Sequence, residues 1–158
     1  MLKVKIIVVG RTRSSFLKEG ESFYLKRLRK YVLVKWIEVK PARIKKGRPT
    51  EEVLSAEGQT IARSLAPRDY LVALDRAGHP YDSAGLAAWL EKLSVSVAGD
   101  WVSFIIGGPL GLSREILERS QKVLSLSNLT LTHEMSRLLL LEQLYRAFTI
   151  WRGEKYHK

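Results

Sequence analysis

The chain has 158 residues, the size of one domain, and its 46% hydrophobic content suffices for a buried core and excludes wholesale disorder. The absence of cysteine excludes disulfides, thiolate metal sites and cysteine nucleophiles; no apolar stretch approaches the ~20 residues that span a bilayer. Lys plus Arg number 27 against 16 Asp plus Glu, a net charge of +11 that suits a polyanion better than a cationic ligand.

The excess charge sits at one end. Residues 1–50 hold 15 basic and 3 acidic side chains, whereas the remaining 108 hold 12 and 13. Within that first third, Lys3–Val9 (KVKIIVV) reads as a buried strand closed by Gly10, and its Ile6–Val9 run is too short for the core of a signal peptide. Phe16–Tyr31 has the spacing of an amphipathic helix with a basic face, and Val32–Val39 (VLVKWIEV) is a second strand. Pro41–Pro49 (PARIKKGRP) is a basic loop, and Thr50 is the expected cap of a helix that runs to about Leu65 and stops before Pro67.

The rhythm then repeats. Tyr70–Leu74 is a strand, Arg76–Pro80 a turn, and Ser83 the expected cap of a helix to about Leu93. Trp101–Ile106 (WVSFII) is a strand that runs into Gly107-Gly108-Pro109-Leu110-Gly111. Ser113 caps a short helix to about Gln121, Val123–Leu126 is a brief strand, Ser127–Thr132 a loop, and Glu134–Trp151 the longest helix. Strands and helices alternating at this spacing predict one α/β domain over residues 1–158, a mostly parallel sheet with helices on both faces. Ligands of such sheets sit at the carboxyl ends of the strands, here the loops after Leu74, Ile106 and Leu126.

The candidate chemistry is spread over four segments. GGPLG departs from both GxGxxG and the Walker pattern, so a tight strand-to-helix turn is as open a reading as a ligand loop. Leu124–Thr132 (LSLSNLTLT) offers alternate hydroxyls and main-chain groups to a nucleoside, or merely ends a strand. Glu142 and Arg146 have the i,i+4 spacing of an ordinary ion pair. The tail Tyr156-His157-Lys158 joins an aromatic ring, a group that titrates near neutrality and a cation. The histidines His79, His133 and His157 have no mutual ligand spacing, and no metal is expected.

Taken in order, FIIGGPLGLS (Phe104–Ser113), LSLSNLTLTHEMSRLLLLEQLYRAF (Leu124–Phe148), LDRAGHPYDS (Leu74–Ser83), the basic loop and the closing Tyr-His resemble the ribosomal large-subunit RNA methyltransferase H family of the SPOUT superfamily. The resemblance spans the whole chain. It implies a trefoil knot in the C-terminal part of the sheet, a homodimer, and S-adenosylmethionine held by Leu74, Gly107, Leu126, Ser127, Asn128, Leu129, Thr130 and Leu131. It also implies methylation of N3 of a pseudouridine in 23S ribosomal RNA in the cytoplasm, with Arg146, Glu142, His157 and Tyr156 as candidate catalytic residues. Arg43, Lys45, Lys46, Arg48 and Lys158 are the candidate RNA contacts. The alternative is a non-enzymatic basic RNA-binding or ribosome assembly factor, which would need no cofactor pocket; a Rossmann-type nucleotide enzyme is disfavoured by the missing fingerprint.

Overall fold

The computed structural model describes residues 1–156. Along the chain run β1 (Lys3–Val9), α1 (Ser15–Leu28), β2 (Leu33–Val39), α2 (Thr50–Ala62), β3 (Tyr70–Pro80), α3 (Ser83–Ser96), β4 (Trp101–Ile106), α4 (Arg114–Arg119), β5 (Lys122–Ser125) and α5 (His133–Trp151). The strands form one sheet in the order β2-β1-β4-β3-β5, each neighbour parallel to the next. Parallel neighbours need crossover connections, and the helices supply them while covering both faces.

Covered faces explain the continuous apolar run of β1. Val4, Ile6 and Val8 point into the larger core with Leu28 of α1, Leu86 and Leu90 of α3, and Leu140, Leu141 and Leu144 of α5. Ile7 and Val9 point the other way, against Ile61 of α2 and Ile116 of α4. The expected sheet with helices on both faces is therefore the observed one.

Several local expectations are corrected. Thr50 is the first residue of α2 and Pro49 occupies the cap position, without a side-chain cap bond. Ser83 does not cap α3: the carboxylate of Asp82 accepts from the Gly85 amide at 2.6 Å, and the Ser83 hydroxyl donates instead to Gln143 on α5. α1 ends at Leu28 rather than Tyr31, because the chain tightens there into i→i−3 bonds from Lys30 to Arg27 and from Tyr31 to Leu28.

The largest correction falls on Arg76–Pro80, expected as a turn. β3 continues through it and pairs with β5 again at His79 and Pro80, after a register shift between Leu74 and His79. Gly78 permits this, since a Cβ there would lie 2.7 Å from the Val123 carbonyl group. The extra residues, Asp75 and Arg76 among them, are thereby displaced toward the carboxyl end of the sheet.

One buried ion pair ties the sheet to the segment before β3. Lys5 Nζ lies 2.6 Å from Asp69 Oδ2, which also accepts from Ser103 Oγ at 3.0 Å and the Ala66 amide at 3.1 Å. Removing one member strands the other charge in the interior. Asp69→Ala should lower the unfolding free energy by about 3 kcal/mol, read as a fall in the urea midpoint; an unchanged midpoint would mean that the ammonium finds water in the folded state.

Candidate active site

At the carboxyl ends of β3, β4 and β5 lies a cleft of about 420 Å³, within the range of small-molecule sites. Leu74, Asp75 and Arg76 line it from β3, Ile106 through Gly111 from the glycine loop, and Leu124, Leu126, Ser127, Leu129, Thr130 and Leu131 from β5 and the loop that follows. His133 and Ser136 close it from the first turn of α5. Seven of the eight residues expected around the cofactor line this one cleft; Asn128 is exposed and does not.

Gly107 is constrained by the loop itself. A Cβ on it would run into the carbonyl group of Gly111, so the GGPLG turn closes on its own backbone before any ligand enters. Gly111 completes the turn at φ +87°, in the region that favours glycine, and its amide donates to the Gly108 carbonyl at 3.0 Å. On the opposite wall, Ser127 Oγ accepts from the Leu129 amide at 2.9 Å. Arg76 reaches across the mouth to donate to Thr130 Oγ1 at 2.9 Å.

The first turn of α5 is held by a buried network that the sequence did not single out. Arg137 is fully buried; its guanidinium donates to the Val9 carbonyl at 2.7 Å and to Thr12 Oγ1 at 2.9 Å. Thr12 in turn donates to Glu21 on α1 at 2.6 Å. One turn earlier, Glu134 accepts from the amides of Arg13 and Ser14 at 2.9 and 3.2 Å. Burial pushes the Glu134 carboxyl up, but those two amides and the neighbouring cations outweigh it and hold the group below the usual range. The end of β1, the start of α1 and the pocket wall are thus one hydrogen-bonded unit.

His133, one of the three histidines without mutual ligand spacing, stands on this unit and faces the cleft. Its pKa is lowered by burial first and by the Arg137 guanidinium second, against a smaller opposing pull from Glu134.

A second cluster forms further along α5. Arg146 donates to Glu142 Oε1 from Nε at 3.1 Å and from a terminal nitrogen at 2.8 Å. Gln143 Nε2 donates to Glu142 Oε2 at 2.7 Å, and the Tyr156 hydroxyl donates to Oε1 at 3.3 Å. The guanidinium sits 4.8 Å from the centre of the Tyr156 ring, which meets Tyr145 edge-on. A hydrogen bond with Tyr24, then burial, push the Tyr156 phenol up to about 12, so it remains a donor at neutral pH. Glu142, Arg146 and Tyr156 therefore come together, while His157 and Lys158 lie outside the described residues. Along α5, Glu142 and Arg146 lie six and ten residues beyond Ser136, the last residue of the helix to line the cleft, about 9 and 15 Å.

The basic loop leaves the carboxyl end of β2. Arg43, Lys45 and Lys46 are exposed, whereas Arg48 is half-buried and pairs with Glu52 at 3.1 Å and the Arg43 carbonyl at 2.8 Å. Glu57, buried on α2, accepts from the Ala42 amide at 3.1 Å and lies beside Gly108, linking this loop to the cleft floor.

A glycine turn and a nucleoside-sized cleft at the strand ends of a parallel sheet are what a nucleotide-derived cofactor requires, and residues 2–157 match the family described as "Predicted SPOUT methyltransferase". The chain belongs to that family of methyltransferases. Among relatives, it is 44% identical over 161 residues to the ribosomal RNA large subunit methyltransferase H of Moorella thermoacetica, covering all of both chains. It is 41% identical to the protein of the same name from Halothermothrix orenii, over 99% of this chain and all of that one. A probable methylase family protein from Haemophilus influenzae shares the fold at a TM-score of 0.58 and 16% identity, over all of this chain and 72% of that one. A probable methyltransferase from Bordetella pertussis does so at 0.58 and 15%, over 93% and 96%.

The lowered pKa of His133 has a measurable sign. The unfolded chain takes up the proton near 6.5, before the folded one does, so stability is lost as pH falls through and below 6.5. A proton resonance titration of the native protein should place the His133 midpoint below 6.5, and Arg137→Met should raise it. A midpoint at the ordinary value would contradict the buried setting.

Proposed function

We propose that the protein transfers a methyl group from S-adenosylmethionine to N3 of a pseudouridine in 23S ribosomal RNA, as a homodimer acting on ribosomal particles in the cytoplasm. The observation that carries this reading is the cleft, in which the glycine turn and the loop 126–131 face each other across the ends of three adjacent strands. In size and lining it fits the cofactor: Leu126, Leu129 and Leu131 offer apolar walls to an adenine, and main-chain groups of a loop outside the sheet offer hydrogen bonds to its edge. When bound, the cofactor supplies an already activated methyl group on a sulfonium.

What remains for the protein is alignment and charge. N3 of a uracil-type ring is a weak acid, and a cation beside it favours the anion that attacks. Arg146 is suited to that task. Glu142 accepts four hydrogen bonds from three side chains, so in this reading it orients Arg146 and Tyr156 rather than taking the proton. Tyr156, kept protonated, positions the base, His157 is the candidate acceptor of the N3 proton, and Lys158 meets a phosphate. Arg43, Lys45, Lys46 and Arg48 extend the RNA contact.

The offset of Arg146 from the nearest cleft residue of its own helix, about 15 Å, favours a site shared by two chains, the tail of one beside the cleft of the other. A surface suited to pairing exists on α1 and α5. Phe16, Gly20 and Phe23 form one stripe at i, i+4 and i+7, with Phe16 69% and Phe23 47% exposed. Gly20 packs directly on Leu138, and Met135 is exposed a turn earlier on α5. Contiguous apolar surface of this kind marks an interaction face. The knot implied by the family would order the three cleft loops against one another.

Two experiments test the reading. Gly107→Val, by displacing the Gly111 carbonyl, should reduce S-adenosylmethionine affinity at least tenfold in calorimetric titration while leaving the circular dichroism spectrum intact; unchanged affinity would remove the cofactor from this cleft. Deleting residues 156–158 should abolish tritiated-methyl incorporation into ribosomal particles with the dimer preserved in light scattering. Undiminished turnover by the truncated protein would assign the tail no part in the reaction.

A further inference from the structure

The amino ends of the strands, opposite the cleft, carry a second concentration of positive charge. Lys3 and Lys5 of β1, Leu33 and Lys35 of β2, and Trp101 of β4 lie on one side of the sheet, since Lys3 is in register with Leu33 and Trp101, and Lys5 with Lys35. This is the side that α2 and α4 cover further along, but here it is open: Leu33 is 51% exposed and Lys35 is exposed. Three ammonium groups converge on the one indole, Lys35 at 4.6 Å, Lys3 at 5.3 Å and Lys5 at 5.4 Å from the Trp101 ring centre.

Among the described residues, only part of this charge is compensated. Lys5 is neutralised by the buried Asp69, and the neighbouring Asp100 is paired with Arg68 at 3.1 Å. Among the described residues, neither Lys3 nor Lys35 makes an ion pair with a carboxylate. The indole attracts both ammonium groups, and an external anion would relieve the like charge gathered around it.

The position along β2 indicates the kind of anion. β2 is an edge strand, with Lys35 near its amino end and the Arg43–Arg48 loop beyond its carboxyl end. From Lys35 the strand continues four residues to Val39, about 13 Å, before the chain enters the basic loop, a separation too great for one small anion to bridge and suited to an extended polyanion.

We infer that Lys3 and Lys35, gathered over Trp101, are a second RNA-backbone site that grips the phosphates of the substrate RNA beyond the other end of β2 from the basic loop, so that a strand runs along the β2 edge. The inference rests on the RNA reading above and adds a contact surface remote from the cleft. Phosphate contact here is independent of sequence; it sets how the large substrate is held, not which base is modified.

The test is the double variant Lys3→Gln/Lys35→Gln, with binding to a 23S ribosomal RNA transcript followed by fluorescence anisotropy across a salt series. Loss of two phosphate contacts should flatten the log–log salt slope by roughly 1.4–1.8, at 0.7–0.9 per contact, with S-adenosylmethionine affinity and the circular dichroism spectrum unchanged. Trp101→Leu, which releases the ammonium groups, should weaken RNA binding in the same series, and Trp101→Phe should restore most of it. An unaltered slope in the double variant, beside normal RNA binding by the unaltered protein, overturns this site and leaves the proposed function standing. Absence of RNA binding by the unaltered protein overturns both. Loss of binding to phosphatidylserine vesicles with RNA binding retained would assign the patch to a membrane surface and likewise overturn the inference.

Discussion

The fully buried guanidinium of Arg137 is the interaction on which the site depends. It joins α5 to the carbonyl at the end of β1 and, through Thr12, to Glu21 on α1. A buried cation held by two acceptors fixes position strongly, because any displacement leaves a charge without them in a low-dielectric interior. Since α5 is one rigid rod, fixing its first turn fixes what it carries at both ends. His133 and Ser136 become a wall of the cleft, and Glu142 with Arg146 is presented about 9 to 15 Å further on. The same network draws in Glu21, whose carboxyl is pushed up mainly by its burial. Glu134 secures the 13–14 turn beside it, so the passage from the basic segment to the cleft is as firmly held as the cleft itself.

The parts of this arrangement that were legible in the sequence are those with a repeating local signal. β1 reads as buried because its apolar run has no alternation, and a central parallel strand requires that. The loops after Ile106 and near Leu126 could be located because glycine or hydroxyl-rich residues follow each apolar run, and seven of the eight cofactor candidates do line one cleft, although β3 runs on past Leu74. Glu142 and Arg146 declared their pairing by their spacing alone.

The parts that were not legible depend on partners distant in the chain. Arg76–Pro80 contains Gly and Pro and therefore reads as a turn, yet β5 supplies a ladder that draws His79 and Pro80 back into the sheet. Asp82 displaced Ser83 as the cap because Ser83 found Gln143, sixty residues away, as an acceptor. Arg137 looks like any basic residue on a helix surface, and only the packing of α5 on the end of β1 reveals it as interior. His133 and Glu57 likewise acquire meaning from what folds over them. The separation of basic surface from pocket was visible in the charge count, but its geometry was not: the basic third wraps the β2 edge, while the cleft opens on the β4, β3 and β5 side.

These features converge on one claim, that the cleft of one chain works with the Arg146 cluster of another. Complementation tests it most directly. Gly107→Val disables a cleft but leaves its chain's Arg146 intact, and Arg146→Ala does the reverse, so each homodimer should be inactive. Unfolded together and refolded as a mixture, they should form mixed dimers holding one cleft and one cluster in working combination, and tritiated-methyl transfer to ribosomal particles should return to about a quarter of the normal rate, an order-of-magnitude expectation from random pairing in a two-fold dimer. A mixture as inactive as its components would contradict the account, because it would show that cleft and cluster must belong to the same chain.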